Sequence, residues 1–242
     1  MNIPLVIDLS HHNPDPIDFT AIYGSGIIGA FLKASQGDSF TDPLFAARRT
    51  SAAAAGLLVG AYHFLTDAPV ADQVAHFLAV AAPDGQTALA VDWEKNPAGA
   101  SASYAQALDF VQQIEAATGQ QVWVYCGGWA AGVLAGQDNS PLGDRPLWYA
   151  AYINHAPDIP DPWDSATLWQ YTDRAAVPGV AGLYDASTGN EAAIRAAWAA
   201  PLPAAACCPP GSSCCWRCWL SPPIWPRASP RGRLGCWTGR RR

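Results

Sequence analysis

The amino-acid sequence predicts an α/β barrel, and two observations support this fold class. Short β-rich runs alternate with helix-like segments through the first half of the 242 residues, and strand–helix–strand units with short connections build parallel sheets with right-handed crossovers. Eight candidate strands are present, which is the number that closes a parallel sheet into a barrel. After the fifth strand the helices become short or absent, so we expect an irregular, TIM-like barrel.

Each candidate strand is a short run rich in β-branched, aromatic and other apolar residues. The eight runs are residues 5–9, 27–34, 57–65, 87–93, 121–126, 146–152, 166–172 and 180–184. Helix-like segments connect the first five strands, and they cover residues 18–23, 42–55, 70–82 and 101–118. Gly56 and Gly119 follow two of these helices, at the position where glycine commonly ends a helix. A last helix, residues 190–199, is expected to cover the bottom or the side of the barrel.

The composition changes abruptly after residue 200, so we predict a barrel domain, residues 1–200, and a tail, residues 201–242. The tail contains eight prolines, six cysteines, four tryptophans, seven arginines and no acidic residue. It has no helical or strand periodicity, so we expect no regular structure in it. Cys215 and Cys218 have the spacing of half a zinc site, but the tail offers no second such pair and no histidine. Binding to anionic wall polymer or lipid, and out-of-frame translation, are the other interpretations of the tail.

The charge distribution excludes some classes of function. Residues 1–200 contain seven basic and twenty acidic residues, which gives −13, whereas the tail carries +7. A body this acidic is poorly suited to nucleic acid, which binds basic surfaces. No apolar run reaches the roughly 18 residues of a membrane span. Residues 1–4 lack the basic segment of a secretory signal, so we expect synthesis in the cytoplasm and release by lysis or through a holin-type pore.

Polar residues recur at the C-terminal ends of the candidate strands. In a parallel barrel these ends form the active site, so polar side chains there carry more weight than polar side chains elsewhere. Carboxylates directed at one mouth repel each other, and only a function would keep them together. These strand-end residues are Asp8, Lys33, His63, Asp92, Glu94, Gln170 and Asp185.

The fourth strand gives the sharpest pattern. Because side chains alternate along a strand, Ala88, Ala90, Asp92 and Glu94 share one face, and the apolar residues between them point to the surrounding helices. Two carboxylates on one strand face can hold different protonation states, one as an acid and the other as a fixed negative charge. A capped strand end that meets solvent is the alternative interpretation of such a pair. The other acidic and polar strand ends at the same rim favour the catalytic interpretation.

Several longer segments carry a family resemblance. They are IDLSHHN at 7–13, IDF at 17–19, FLKASQG at 31–37, TDPLF at 41–45, AGLLVGAYHF at 55–64, VDWE at 91–94, TG at 118–119, LWYAAY at 147–152, WQY at 169–171, and VPGV at 177–180 with Asp185. In order and spacing, residues 3–190 resemble the glycoside hydrolase family 25 lysozymes, also known as Chalaropsis-type muramidases. Gln36 departs from the pattern, because many members carry Glu there, and we expect a changed hydrogen bond at the rim.

The resemblance implies a (β/α)5(β)3 barrel and hydrolysis of the β-1,4 bond between N-acetylmuramic acid and N-acetylglucosamine in peptidoglycan. It implies that Glu94 is the general acid and that Asp92 orients and stabilises the substrate's N-acetyl group. Asp8 and Asp185 complete an acidic floor. The substrate-binding candidates are Lys33, Tyr62, His63, Tyr125, Trp148, Tyr152 and Gln170. The sequence does not reveal which aromatic residues line the sugar groove, and His63 suits a hydrogen-bonded strand residue better than a base.

Other functions are open at this stage. A chitinase-like hydrolase also uses a D-x-E strand end, and a catalytically silent glycan-binding barrel would share the fold. The motifs around Asp8, His63 and Gln170 favour the muramidase, and both Asp92 and Glu94 are present. His11 and His12 suggest a metal, but adjacent side chains diverge, so we expect no metal and no other cofactor. We expect a monomer that needs no protein partner.

Overall fold

The structure is a computed structural model that describes residues 4–203. Its centre is a closed sheet of eight strands, with one further short strand at its margin. The strands are β1 Val6–Leu9, β2 Gly29–Gln36, β3 Phe40–Thr41, β4 Leu58–Phe64, β5 Ala88–Asp92, β6 Val122–Gly127, β7 Leu147–Ala150, β8 Leu168–Ala175 and β9 Tyr184–Thr188.

Around the barrel the strands follow the order β1, β2, β4, β5, β6, β7, β8 and β9, and β9 pairs with β1 to close the ring. β3 pairs only with β2, as a short antiparallel addition. Helices follow each of the first five barrel strands, and none lies between the last three. The predicted (β/α)5(β)3 architecture is therefore confirmed.

The helices lie outside the barrel or beneath it, and their ends have local causes. Ser103 caps α4 through a capping box with Gln106, so the helix begins three residues later than predicted. Gly119 ends the same helix with a positive φ of 72°. Asp18 caps α1 by accepting two backbone N–H bonds. The six helices are α1 Phe19–Gly24, α2 Phe45–Ala54, α3 Val70–Ala81, α4 Tyr104–Thr118, α5 Gly128–Leu134 and α6 Glu191–Ala197.

The last strand corrects the prediction in position and direction. The expected strand, residues 180–184, is a loop in which Gly179 and Gly182 adopt positive φ, and β9 begins at Tyr184. β9 runs antiparallel to both β8 and β1, whereas the remaining barrel strands pair in parallel. A parallel pair needs a crossover of about a dozen residues or more. The connection from Ala175 to Tyr184 is shorter, so the chain returns antiparallel.

The barrel interior is filled by aromatic side chains stacked on one another. The ring of Phe31 lies 4.6 Å from the Trp148 ring and 4.6 Å from the Trp198 ring, measured between centroids. Trp198, just after α6, donates from Nε1 to the Val59 carbonyl at 3.0 Å and so closes the bottom of the barrel. A second apolar layer, which includes Leu89 and other outward-facing strand residues, packs against the helices.

The contacts of the barrel continue past the predicted domain boundary at residue 200. The amide of Gln121 donates to the Ala200 carbonyl at 2.8 Å, and the amide of Leu202 donates to the Gly119 carbonyl at 2.8 Å. From residue 204 onward the predicted tail lies outside the described residues. Within residues 4–203, no helix has the length and apolar character that a membrane crossing requires.

Gly60 is predicted to be essential for this interior packing. A Cβ atom at position 60 would lie 2.2 Å from the ring of Phe31, and Phe31 is locked between other aromatic rings. Gly60→Ala should therefore lower the free energy of unfolding by about 1–3 kcal/mol through overpacking. Gly24→Ala is the matched control, because a Cβ there meets no atom within 4 Å. Denaturant unfolding of both variants checks this, and equal stabilities would contradict it.

Candidate active site

A cavity of about 220 Å³ opens at the C-terminal ends of the parallel strands. Asp92 is the last residue of β5, and Ala88 and Ala90 of the same face lie inside the barrel, as predicted. Leu89 and Val91 point to the helices. The cavity is lined by Asp8, Tyr62, Asp92, Glu94, Tyr125, Trp148, Tyr152, Gln170 and Asp185.

Asp92 is buried and incompletely satisfied. Its residue surface is 8% exposed, and its Oδ1 is the one buried side-chain oxygen or nitrogen within residues 4–203 that has no hydrogen-bond partner. Burial raises the pKa of Asp92 well above its usual range, the Glu94 charge raises it further, and Lys33 opposes this. An unpartnered buried carboxylate oxygen is costly, so Oδ1 is positioned to accept a hydrogen bond from a ligand.

Glu94 is half-buried at the cavity mouth. Partial burial raises its pKa, Lys33 lowers it, and the charge of Asp185 raises it again. A carboxyl group with a raised pKa keeps its proton to higher pH than a carboxyl group in water. Glu94 therefore has the property of a general acid, and Asp92 beside it has the position of a hydrogen-bond acceptor.

Asp8 and Asp185 face each other across the β1–β9 pair. Burial is the largest cause of the raised pKa of Asp8, followed by the charge of Asp185, and the hydrogen bond from Gln170 lowers it. Burial also raises the pKa of Asp185, to about 6. Carboxyl groups with raised pKa values keep their protons to higher pH than carboxyl groups in water.

Gln170 connects this acidic pair to two tyrosines. The hydroxyl groups of Tyr125 and Tyr152 both donate to Gln170 Oε1, at 3.0 and 2.8 Å. The amide nitrogen therefore points the other way and donates to Asp8 Oδ2 at 2.8 Å. Gln170 is buried, so the network fixes its orientation and, through it, the Asp8 carboxyl group.

Lys33 is the cation of the mouth. Its Nζ donates to Gln36 Oε1 at 2.7 Å and lies 5.0 Å from the centre of the Phe64 ring. Burial lowers the pKa of Lys33, and Asp92, Asp42 and Glu94 oppose this in that order. Lys33 does not line the cavity itself, so its effect on the acid pair is electrostatic.

His63 is not part of the cavity, which corrects its assignment to substrate binding. It is fully buried on the outer face of the sheet, where its Nδ1 contacts Ser35 Oγ at 2.8 Å and its Nε2 contacts Gln73 Oε1 at 3.2 Å. Its ring stacks on Phe110 at 4.9 Å. Burial lowers its pKa to about 3, so it is a neutral structural residue. Tyr62 faces the cavity, and strand alternation places the next residue outside.

Tyr62, Tyr125, Trp148 and Tyr152 all line the cavity, so the structure brings these four candidates together. Tyr152 is 52% exposed and forms the outer wall. Phe64, which contacts Lys33, was not among the candidates. It lies two residues after Tyr62 on the same strand, so strand alternation was the signal that could have found it.

Comparison with known proteins agrees with this arrangement of carboxylates at a barrel mouth. The family model "Glycosyl hydrolases family 25" matches residues 7–180. Lysozyme M1 of Streptomyces globisporus is 31% identical over 202 residues, which cover 78% of this chain and 68% of that protein. The N,O-diacetylmuramidase of Chalaropsis sp is 28% identical over 200 residues, which cover 76% of this chain and 94% of that protein.

Solved structures give the same result. A bacterial lysozyme from Streptomyces coelicolor superposes with a TM-score of 0.71 at 28% identity, and the match covers 80% of this chain and 95% of that one. A family GH25 lysozyme from Aspergillus fumigatus superposes with a TM-score of 0.67 at 29% identity, over 79% of this chain and 97% of that one. The chain is a glycoside hydrolase, and it belongs to family 25.

Lys33→Met is predicted to move the pH–activity profile to higher pH. The Lys33 charge lowers the pKa of both Asp92 and Glu94, so its removal lets both values rise. Because one carboxyl group must be ionised and the other protonated, both limbs of a kcat/KM profile should shift upward. Lys33→Arg keeps the charge and is the control. A shift that is the same in both variants, or absent from both, would contradict the electrostatic role.

Proposed function

We propose that this chain is a lysozyme, an N-acetylmuramidase that hydrolyses the β-1,4 bond between N-acetylmuramic acid and N-acetylglucosamine in bacterial peptidoglycan. The observation that carries the proposal is the unpartnered, buried Oδ1 of Asp92 beside the half-buried Glu94. A 2-acetamido sugar offers an N–H donor next to its anomeric carbon, which is the group that this oxygen lacks. The muramidases among the relatives support the same substrate.

The reaction then needs no enzyme nucleophile. Asp92 accepts the acetamido N–H, and the acetamido oxygen attacks the anomeric carbon as the glycosidic bond breaks. Glu94 gives its proton to the departing oxygen. A water molecule opens the resulting oxazolinium ring, and the Glu94 carboxylate takes a proton from this water, which restores the acid.

The surrounding groups support these two roles. The negative charge of Asp185 raises the pKa of Glu94 and so favours its protonated form. The positive charge of Lys33 favours the ionised form of Asp92. Tyr152 and Trp148 supply ring surface for a sugar, and Gln170 and the Asp8–Asp185 pair supply fixed polar groups.

Glu94→Gln is predicted to abolish the release of new reducing N-acetylmuramic acid ends from purified peptidoglycan. The substitution is nearly isosteric and removes the transferable proton, whose loss typically costs about 10²–10⁴ in kcat. Glu191→Gln, on the surface of α6, is the matched control and should behave as the wild type. Wild-type release of reducing N-acetylglucosamine instead would replace the muramidase by a glucosaminidase, and preferred cleavage of chitin oligomers would indicate a chitinase-like enzyme.

Asp92→Asn is predicted to lower kcat more than KM. The Asp92 charge is useful as positive charge develops on the anomeric carbon and the acetamido group, so its loss affects the transition state more than the bound substrate. A raised pKa means that folding disfavours the ionised form, so removing the charge should keep or increase stability above that pKa. Asp109→Asn on α4 is the control. An unchanged kcat, or efficient cleavage of a substrate without the acetamido group, would refute this role.

A further inference from the structure

An aromatic group lies at the rim, outside the cavity described above. Phe40, on β3, is 39% exposed. The ring centroid of His11 lies 5.1 Å from that of Phe40, and the ring centroid of His12 lies 3.9 Å from that of His11. These three residues are called the aromatic shelf. The family resemblance assigned no role to Phe40, and the mechanism above uses none of the three.

The aromatic shelf is held in place by buried polar contacts. Asp42, whose side chain is 1% exposed, accepts from the His11 backbone amide at 2.7 Å and contacts His11 Nδ1 at 2.9 Å through the same oxygen. The His11 side chain remains 28% exposed. The Phe40 carbonyl contacts His76 Nε2 on α3 at 2.9 Å. A surface fixed before binding loses little conformational entropy when a ligand stacks on it.

The aromatic shelf is also continuous with the catalytic cavity. Phe40 is the β-sheet partner of Gln36, and Gln36 Oε1 accepts from Lys33 Nζ at 2.7 Å. The same Nζ lies 6.0 Å from the centre of the Phe40 ring and 5.0 Å from that of Phe64. Lys33 in turn acts on the charge of Asp92. A path of contacts therefore leads from the acid pair to exposed ring surface.

We propose that the aromatic shelf binds a further sugar unit of the glycan strand, beyond the units joined by the bond that is cut. This inference rests on the proposed function. A cavity of about 220 Å³ is small for a polymer, so the strand must leave it across the rim. Ring faces stack on the apolar C–H faces of sugars, and Nε2 of His11, which is not the nitrogen that contacts Asp42, supplies a polar group for a hydroxyl or an acetamido group.

The test compares Phe40→Ala with the wild type on peptide-free glycans of two lengths, a disaccharide that holds only the two units joined by the cleaved bond and an octasaccharide. Loss of one stacked ring should raise KM for the octasaccharide about five- to tenfold. The KM for the disaccharide should change less than twofold, and kcat should be unchanged for both. Phe40→Tyr should retain wild-type values, because it keeps the ring. Phe40→Leu should resemble Phe40→Ala, because it keeps apolar volume without the ring.

Tyr23→Ala is the matched control, because Tyr23 is an exposed aromatic residue on α1, near Gly56 at the opposite end of the barrel. Equal losses on both lengths, or no loss on either, would overturn the sugar subsite. A loss confined to strands that still carry their peptides would assign the aromatic shelf to the stem peptide instead. Cleavage of neither length by the wild-type protein would refute the proposed function itself, and it is distinguishable from the other outcomes.

Discussion

The antiparallel closure of the barrel by β9 is the constraint on which the site depends. Seven strands run in one direction and bring their C-terminal ends to one rim, but they leave a gap between β8 and β1. Because β9 fills this gap in the opposite direction, its first residues lie at that same rim. Asp185 is thereby placed opposite Asp8. A parallel strand of the same sequence would carry Asp185 to the bottom of the barrel, where Trp198 and α6 lie.

Closure has an electrostatic cost, because it removes four carboxyl groups from water beside one another. Two arrangements offset this cost. The amide of Gln170 donates to Asp8, and the Lys33 ammonium lies on the other side of the mouth. Only Asp92 keeps a buried oxygen without a partner within the described residues. The site is thus stabilised everywhere except at the atom that the reaction needs, and local strain of this kind is typical of functional sites.

Local patterns of the sequence predicted most of the barrel, and long-range pairing decided the rest. Alternation along β5 placed Asp92 and Glu94 inside, because a strand face is fixed by sequence alone. The same alternation separates His63 from Tyr62, so its wrong assignment came from giving strand-end position more weight than parity. The direction of β9 could not be read locally, since it depends on which strands remain unpaired when the sheet closes. The position of Asp185 was therefore predicted at the correct rim for the wrong strand geometry.

The neutral side chain of Gln36 determines how the charges of the mouth are balanced. A carboxylate at this position, which the family resemblance leads one to expect, would form an ion pair with Lys33 and take up much of its charge. The amide oxygen of Gln36 accepts a hydrogen bond from Lys33 but carries no net charge, so Asp92 is the largest electrostatic partner of Lys33. With Glu94 protonated, the Lys33 cation then lies beside one ionised catalytic carboxylate. This balance favours the unequal protonation of Asp92 and Glu94 that acid catalysis with substrate assistance requires.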